Sequence, residues 1–439
     1  MTSFSVEGKT VTVVGAARSG IAAALLLADR GGRVTLTDTR PAIDEAADTQ
    51  LRRALVTLEL GEHRSETFNR ADLIILSPGV RLDQPHVAAA RRLGVPVIGE
   101  IELASRWVRG RIVAITGTKG KSTTTTLTGR MFTAGGLKAL VGGNIGTPLS
   151  SQVAQSTPDT FHIVEVSSFQ LETTETFHPW IAVLLNVSPD HLDRHASFDE
   201  YAAAKARIFE NQDERDWAVT NADDPQTLAL ARMSRARKVT FSSGETTLVP
   251  LSSIRLIGKH LVADVMAAAT VAQIAGVPRD AMVRAVESFT GLEHALEPVA
   301  TIKGVRFVND SKATNVDAAK RAIESFDARL VVIMGGRFKG GDLHLLREPL
   351  SARNATVVAI GESQPLFRAA FDGVVPVQMA NSLGDAVRMG YVLAQPHGTV
   401  LLSPACASFD MFRDYAERGV AFKKEVQRLA EESKTTREQ

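Results

Sequence analysis

The run Ile115-Thr-Gly-Thr-Lys-Gly-Lys-Ser-Thr-Thr-Thr125 holds the residue types that grip a phosphate. Gly117 and Gly120 allow backbone N–H groups to close on phosphate oxygens, and a helix starting near Lys121 adds its positive end. Lys121 supplies a point charge for β- and γ-phosphates, and the Ser122 hydroxyl suits Mg²⁺, which takes hard oxygen ligands. Gly117, Thr118, Lys119, Gly120, Lys121, Ser122 and Thr123 are therefore the candidate ATP-phosphate contacts. The loop is shorter than the Walker pattern, which would need glycine at position 115, where Ile stands. The plain alternative is a glycine-rich turn carrying a surface lysine. An apolar strand, two glycines, Lys and Ser-Thr in one run favour the phosphate reading.

Two further runs could complete such a site: Glu165-Val-Ser-Ser-Phe-Gln-Leu-Glu172 and Asn186-Val-Ser-Pro-Asp-His-Leu-Asp-Arg-His195. A carboxylate at a strand end beside a phosphate loop suits Mg²⁺, so Glu165 is a candidate ligand. His191 joins it as a candidate, with an ordinary loop histidine as the alternative. Near the N-terminus, Gly15-Ala-Ala-Arg-Ser-Gly20 resembles a dinucleotide-binding turn, and Asp38 closes the next strand where an acid can meet a ribose hydroxyl. Ala17 replaces the middle glycine, which argues against close backbone approach to an NAD pyrophosphate. Lys205 lies in Tyr201-Ala-Ala-Ala-Lys-Ala-Arg-Ile-Phe209, where spacing alone reads as a solvated helical lysine. Asn309-Asp-Ser-Lys-Ala-Thr-Asn315 and Ser403-Pro-Ala-Cys-Ala-Ser-Phe-Asp410 place small and polar residues straight after apolar strands.

The elements that must hold these residues form three αβ segments. In the first, strands over 10–15, 34–38, 72–76 and 95–100 surround a helix over 19–30. In the second, strands over 111–116, 163–166, 181–187 and 217–221 end in polar residues, placing Glu165, Asn186 and Asn221 where open parallel sheets bind ligands. In the third, which begins near Gly291, strands cover 305–309, 330–334, 357–360 and 399–402. A chain of 439 residues is about three domains long. The expected divisions are 1–99, 100–291 and 292–439. Fifty Lys and Arg against 49 Asp and Glu give a net charge of +1, without the basic excess of a nucleic-acid binder. The single cysteine, Cys406, excludes an internal disulfide and a cysteine zinc site, and reads as a packing residue. No apolar run reaches the ~18–20 residues of a membrane span, and the first residues lack a signal-peptide pattern. A cytoplasmic, monomeric protein without nucleic-acid or membrane partners is expected.

Taken in order, these motifs resemble those of the Mur ligase family of ATP-dependent amino-acid ligases. The carriers are GTKGKST (117–123), GGNIGTP (142–148), SSFQLE (167–172), LNVSPDHLDRH (185–195), KARIFEN (205–211), NADD (221–224), NDSKATN (309–315) and LLSPACASFD (401–410), spanning nearly the whole chain. Within the family, NDSKATN and SPACAS point to the glutamate-adding branch. The resemblance implies three α/β domains: a Rossmann-like uridine-nucleotide domain, a central P-loop-type ATPase domain with a parallel sheet, and a Rossmann-like C-terminal domain. It implies UDP-N-acetylmuramoyl-L-alanine, glutamate and ATP as substrates, Mg²⁺ as cofactor, and an acyl-phosphate intermediate in peptidoglycan precursor synthesis. By motif, Lys121, Lys205, His191 and Glu165 take catalytic roles, and Ser122, Glu165, His191 and a carbamylated Lys205 associate with metal. His260, Asp310 and Lys312 match further ATP contacts. Ala17, Arg18, Asp38, Thr39, Ser77, Gly79 and Asn144 match the nucleotide-substrate side, and Thr314, Lys339, Ser408 and Tyr415 the glutamate side. The chain departs from the family pattern at Lys119, where asparagine is usual. It departs again at Leu261 and Asp264, which replace asparagines, and at Ala295, which replaces an arginine that Arg337 could substitute. These changes keep two alternatives open: an L-glutamate-adding variant, and a nucleotide-binding paralogue without ligase activity.

Overall fold

Runs of Val, Ile and Leu buried on both faces favour parallel strands covered by helices. A computed structural model describes residues 4–190, 194–254, 260–327 and 329–435. Its first sheet joins β1 (Thr10–Val14), β2 (Arg33–Asp38), β3 (Thr57–Leu60), β4 (Leu73–Leu76) and β5 (Val97–Gly99), all parallel, in the order β3-β2-β1-β4-β5. The second joins β6 (Arg111–Thr116), β7 (Lys138–Gly143), β8 (Thr160–Glu165), β9 (Ile181–Leu184), β10 (Trp217–Asn221) and β11 (Arg237–Phe241), also parallel, in the order β11-β10-β9-β6-β8-β7. Both sheets lie in one compact unit, built from residues up to 254 and from 260–288.

Residues from 289 onward form a second unit. Its sheet joins β12 (Glu297–Ile302), β13 (Val305–Asn309), β14 (Leu330–Gly335), β15 (Thr356–Ile360), β16 (Val377–Met379) and β17 (Thr399–Leu402), in the order β12-β13-β17-β14-β15-β16. β12 runs antiparallel to β13 and the rest are parallel, so this sheet is mixed. The expected three-domain α/β architecture is present.

Two strand expectations shorten the most. The run 95–100 yields only Val97–Gly99, because Gly99 caps a helix whose first turn holds Glu100 and Glu102; acids there complement the helix dipole. The run 181–187 stops at Leu184, because Asn186 leaves the sheet to bond the phosphate loop. Among the described residues, no helix is long and apolar enough to cross a membrane.

Candidate active site

The phosphate loop leaves the carboxyl end of β6, a central strand flanked by β8 and β9. Gly120 precedes the helix Lys121–Ala134 with φ of +80°, a left-handed conformation open to glycine. The loop is fastened from the next strand: Thr118 N donates to Asn186 O (3.0 Å), Lys119 N to Asn186 Oδ1 (2.9 Å), and Asn186 Nδ2 to Lys119 O (3.1 Å). The Thr118 hydroxyl accepts from Ser188 N (3.0 Å) and lies 3.1 Å from the Tyr201 hydroxyl. Lys121 folds back over the loop, its Nζ donating to Gly117 O (2.9 Å) and Thr118 O (3.0 Å). Thr123, one residue beyond Ser122, is half-buried on the same first turn.

Glu165 ends β8 and is buried. Its Oε2 accepts from the Ser122 hydroxyl (2.6 Å) and its Oε1 from Asn144 Nδ2 (2.9 Å). Three motifs far apart in sequence thus meet in one hydrogen-bonded chain. Lys205 corrects the spacing-based reading, for the residue is only 1% exposed. Ser197 caps the helix Phe198–Ala206, which turns Tyr201, Ala202, Ala204 and Lys205 inward. Lys205 Nζ donates to Gly117 O (2.8 Å) and lies 4.5 Å from the Tyr201 ring centre. Burial, then the nearby charge of Lys121, lowers the amine to a pKa of about 6. Hydroxyl, carboxylate and amide oxygens are the hard donors Mg²⁺ takes, so Ser122 and Glu165 fit that ion. His191 and the side chain of His260 lie outside the described residues.

On the first sheet, the Asp38 carboxylate accepts from Ala16 N (2.6 Å) and from Arg40 N, Nε and Nη2. Arg40 holds it well below the usual carboxylate range. Asp38 therefore closes the Gly15–Gly20 turn. The Ser77 hydroxyl donates to Gly15 O (2.7 Å), so the third candidate piece meets the same turn. Ala17, Thr39 and Gly79 are exposed beside it. Arg18 Nη1 reaches Gly146 O (3.2 Å), within the loop that carries Asn144. Arg194 donates to Pro78 O (3.1 Å) and Val80 O (3.3 Å), stacks on Phe169 and pairs with Glu172 (3.5 Å).

In the second unit, Asp310 follows β13 and is buried. Its carboxyl accepts from Leu296 N (3.1 Å) and the Ser403 hydroxyl (3.3 Å), and burial pushes it up to a pKa of about 7. Lys312 and Thr314 continue this loop, half-buried, with Lys312 N on His294 O (3.0 Å). Ser408 is buried behind Cys406, whose thiol burial pushes up to about 11, so it fits the packing role. Lys339 is exposed on the loop after β14, Arg337 donates to Glu362 (3.0 Å), and Tyr415 opens the C-terminal helix, partly exposed.

Three stretches match family models: a Mur ligase MurD-like N-terminal domain over 9–99, a Mur ligase middle domain over 115–272 and a Mur ligase glutamate ligase domain over 296–406. The chain is 44% identical to the UDP-N-acetylmuramoylalanine–D-glutamate ligase of Koribacter versatilis, over 98% of this chain and all of that one. This chain is a Mur ligase. The corresponding Anaeromyxobacter dehalogenans protein is also 44% identical, covering 97% of the present Mur ligase and 98% of its own length. Among solved structures, MurC of Thermotoga maritima matches 95% of the chain and 99% of its own at 19% identity and a TM-score of 0.58. MurF of Thermotoga maritima in complex with ADP matches 97% and 96% at 17% identity and a TM-score of 0.58. At these identities the two structures support the fold alone.

Sequence reasoning passed over several residues that organise this Mur ligase. Tyr201 and Arg194 sit in motifs it quoted but did not single out. Arg418, on the C-terminal helix, is 1% exposed. It donates to the Ser311 hydroxyl (2.9 Å) and carbonyl (2.9 Å), to Cys406 O (3.2 Å) and to Gly335 O (3.4 Å). One guanidinium thus ties the end of β14 to the loops after β13 and β17. Its place in Ala-Glu-Arg-Gly gives no hint of burial. Arg418→Ala is expected to cost roughly 2–4 kcal/mol of stability in the second unit, because several buried acceptors lose their donor. Denaturant titration would check this, and a loss under ~0.5 kcal/mol would contradict the hub role.

Proposed function

We propose that this Mur ligase joins D-glutamate to UDP-N-acetylmuramoyl-L-alanine at the expense of ATP, in cytoplasmic peptidoglycan precursor synthesis. The carrying observation is the Ser122–Glu165–Asn144 chain set against the phosphate loop, with buried Lys205 on Gly117. The similarity to D-glutamate ligases supports the choice of amino acid. In this reading, a carboxylate oxygen of the alanine bonds to the γ-phosphorus of ATP and ADP leaves. The glutamate amine then adds to the acyl phosphate carbon, loses a proton, and phosphate departs to leave the amide.

Each residue has a physical task. Lys121 places positive charge on the loop that receives the phosphates. Ser122 and Glu165 would hold Mg²⁺, with His191 and Lys205 as further metal-associated residues; that ion would supply charge neutralisation at the transferring phosphoryl. The low pKa of Lys205 leaves a neutral amine at pH 7 that can add to CO₂ and lose a proton, giving a carbamate. Thr118, Lys119 and Thr123 line the loop, while His260, Asp310 and Lys312 complete the proposed ATP contacts. Ala17, Arg18, Asp38, Thr39, Ser77 and Gly79 frame the uridine side. Thr314, Lys339, Ser408 and Tyr415 would receive glutamate, where lysine suits carboxylates. We further place domain divisions after residues 99 and 291, and take the protein to act as a monomer.

The test is phosphate release with UDP-N-acetylmuramoyl-L-alanine, Mg²⁺, bicarbonate and either enantiomer of glutamate. Release with D-glutamate alone is expected. Release only with L-glutamate would change the substrate, and none with either would return the non-catalytic paralogue as the reading.

A further inference from the structure

Asp264 lies on the helix His260–Ile274, which packs along the phosphate-loop helix Lys121–Ala134. Its side chain is buried, with the residue only 4% exposed. Oδ1 stands so close to Gly120 that a Cβ at that position would overlap it. Oδ2 is closed off from solvent and has no hydrogen-bond partner. The charged neighbour that acts on it is Lys121, and the Thr124 hydroxyl is its polar neighbour on the same helix. Among the described residues, β10, β11 and the helix Arg279–Glu287, which also pack on this helix, add no charge that acts on it.

This carboxyl therefore backs the turn whose other side would receive the polyphosphate. Ionised, it would set a buried negative charge behind a loop meant for anions and draw Lys121 toward itself. Neutral, it packs against Gly120 without repelling the ligand. We propose that Asp264 is a positioning residue of the phosphate loop and that nucleotide binds to the form in which its carboxyl carries a proton. Burial already holds the group at a pKa of about 7, so a nearby phosphate would have only a small further shift to impose. Nucleotide binding then takes up part of a proton, and affinity falls as pH rises. The inference rests on the assignment of this loop to nucleotide.

Calorimetry of Mg·ADP binding to the full chain, between pH 7 and 8.5 in two buffers of different ionisation enthalpy, tests it. For wild type, net proton uptake is expected, and above the midpoint the Kd should rise by up to about tenfold per pH unit. Asp264→Asn should flatten the profile and remove the uptake. An unchanged slope and uptake in the folded variant would overturn the proposal. Should Asp264→Asn fail to fold, wild type alone decides, since a flat Kd without proton uptake overturns it equally. Failure to bind ADP at any pH would count against the nucleotide assignment instead.

Discussion

Lys205→Ala is expected to cut kcat by at least about 10²-fold, the scale seen when a preorganised charge partner of a transition state is removed. The side chain is buried against Gly117 O, at the root of the phosphate loop, and cannot be a solvated ornament. Its neutral amine is the form that takes up CO₂, and the carbamate reverses its charge. Activity of wild type should therefore depend on bicarbonate. It should fall as pH drops through about 6, where the amine gains a proton and can no longer add to CO₂. Acetate or another short carboxylate, placed in the space left by Lys205→Ala, should restore part of the rate. Full activity in the variant, or a loss that no carboxylate relieves, would sink the carbamate role.

Gly120→Ala should weaken nucleotide binding through a single added methyl. The left-handed backbone at this position disfavours any Cβ by about 1–2 kcal/mol. The new methyl would also run into the buried Asp264 carboxyl, an overpacking that costs typically about 1–3 kcal/mol. At ~1.4 kcal/mol per decade, nucleotide affinity should drop by about 10²-fold. Calorimetry with Mg·ADP checks this, and affinity within threefold of wild type would contradict it. Adding Asp264→Ala removes the collision but not the backbone penalty, so the double variant should recover only part of the loss.

The fold was legible where burial is two-sided. The runs 10–15 and 111–116 read as parallel strands because they are mostly apolar and covered on both faces, with Thr12 and Thr116 the buried polar exceptions. β12 was not expected, since Glu-Pro-Val-Ala-Thr-Ile holds a proline and is covered on one side only, as an edge strand allows. The phosphate loop was legible because glycine, lysine and hydroxyl must follow one another in the chain. Lys205 was not, because its alanine neighbours carry no periodicity that separates an inner from an outer face. Only the resemblance promoted it. Arg418 lay deeper still: most of its partners are main-chain carbonyls distant in sequence, and no local pattern records such contacts.

Arg194 carries that last point further. It grips the carbonyl oxygens of Pro78 and Val80, so any residue placed at those positions would offer the same acceptors. On its own side it relies on Phe169 and Glu172, where side-chain identity matters. As far as this joint is concerned, side-chain identity is indifferent on one bank and decisive on the other. Paired substitutions would not arise across it, and a search for covarying positions would pass over the tie between the first two sheets.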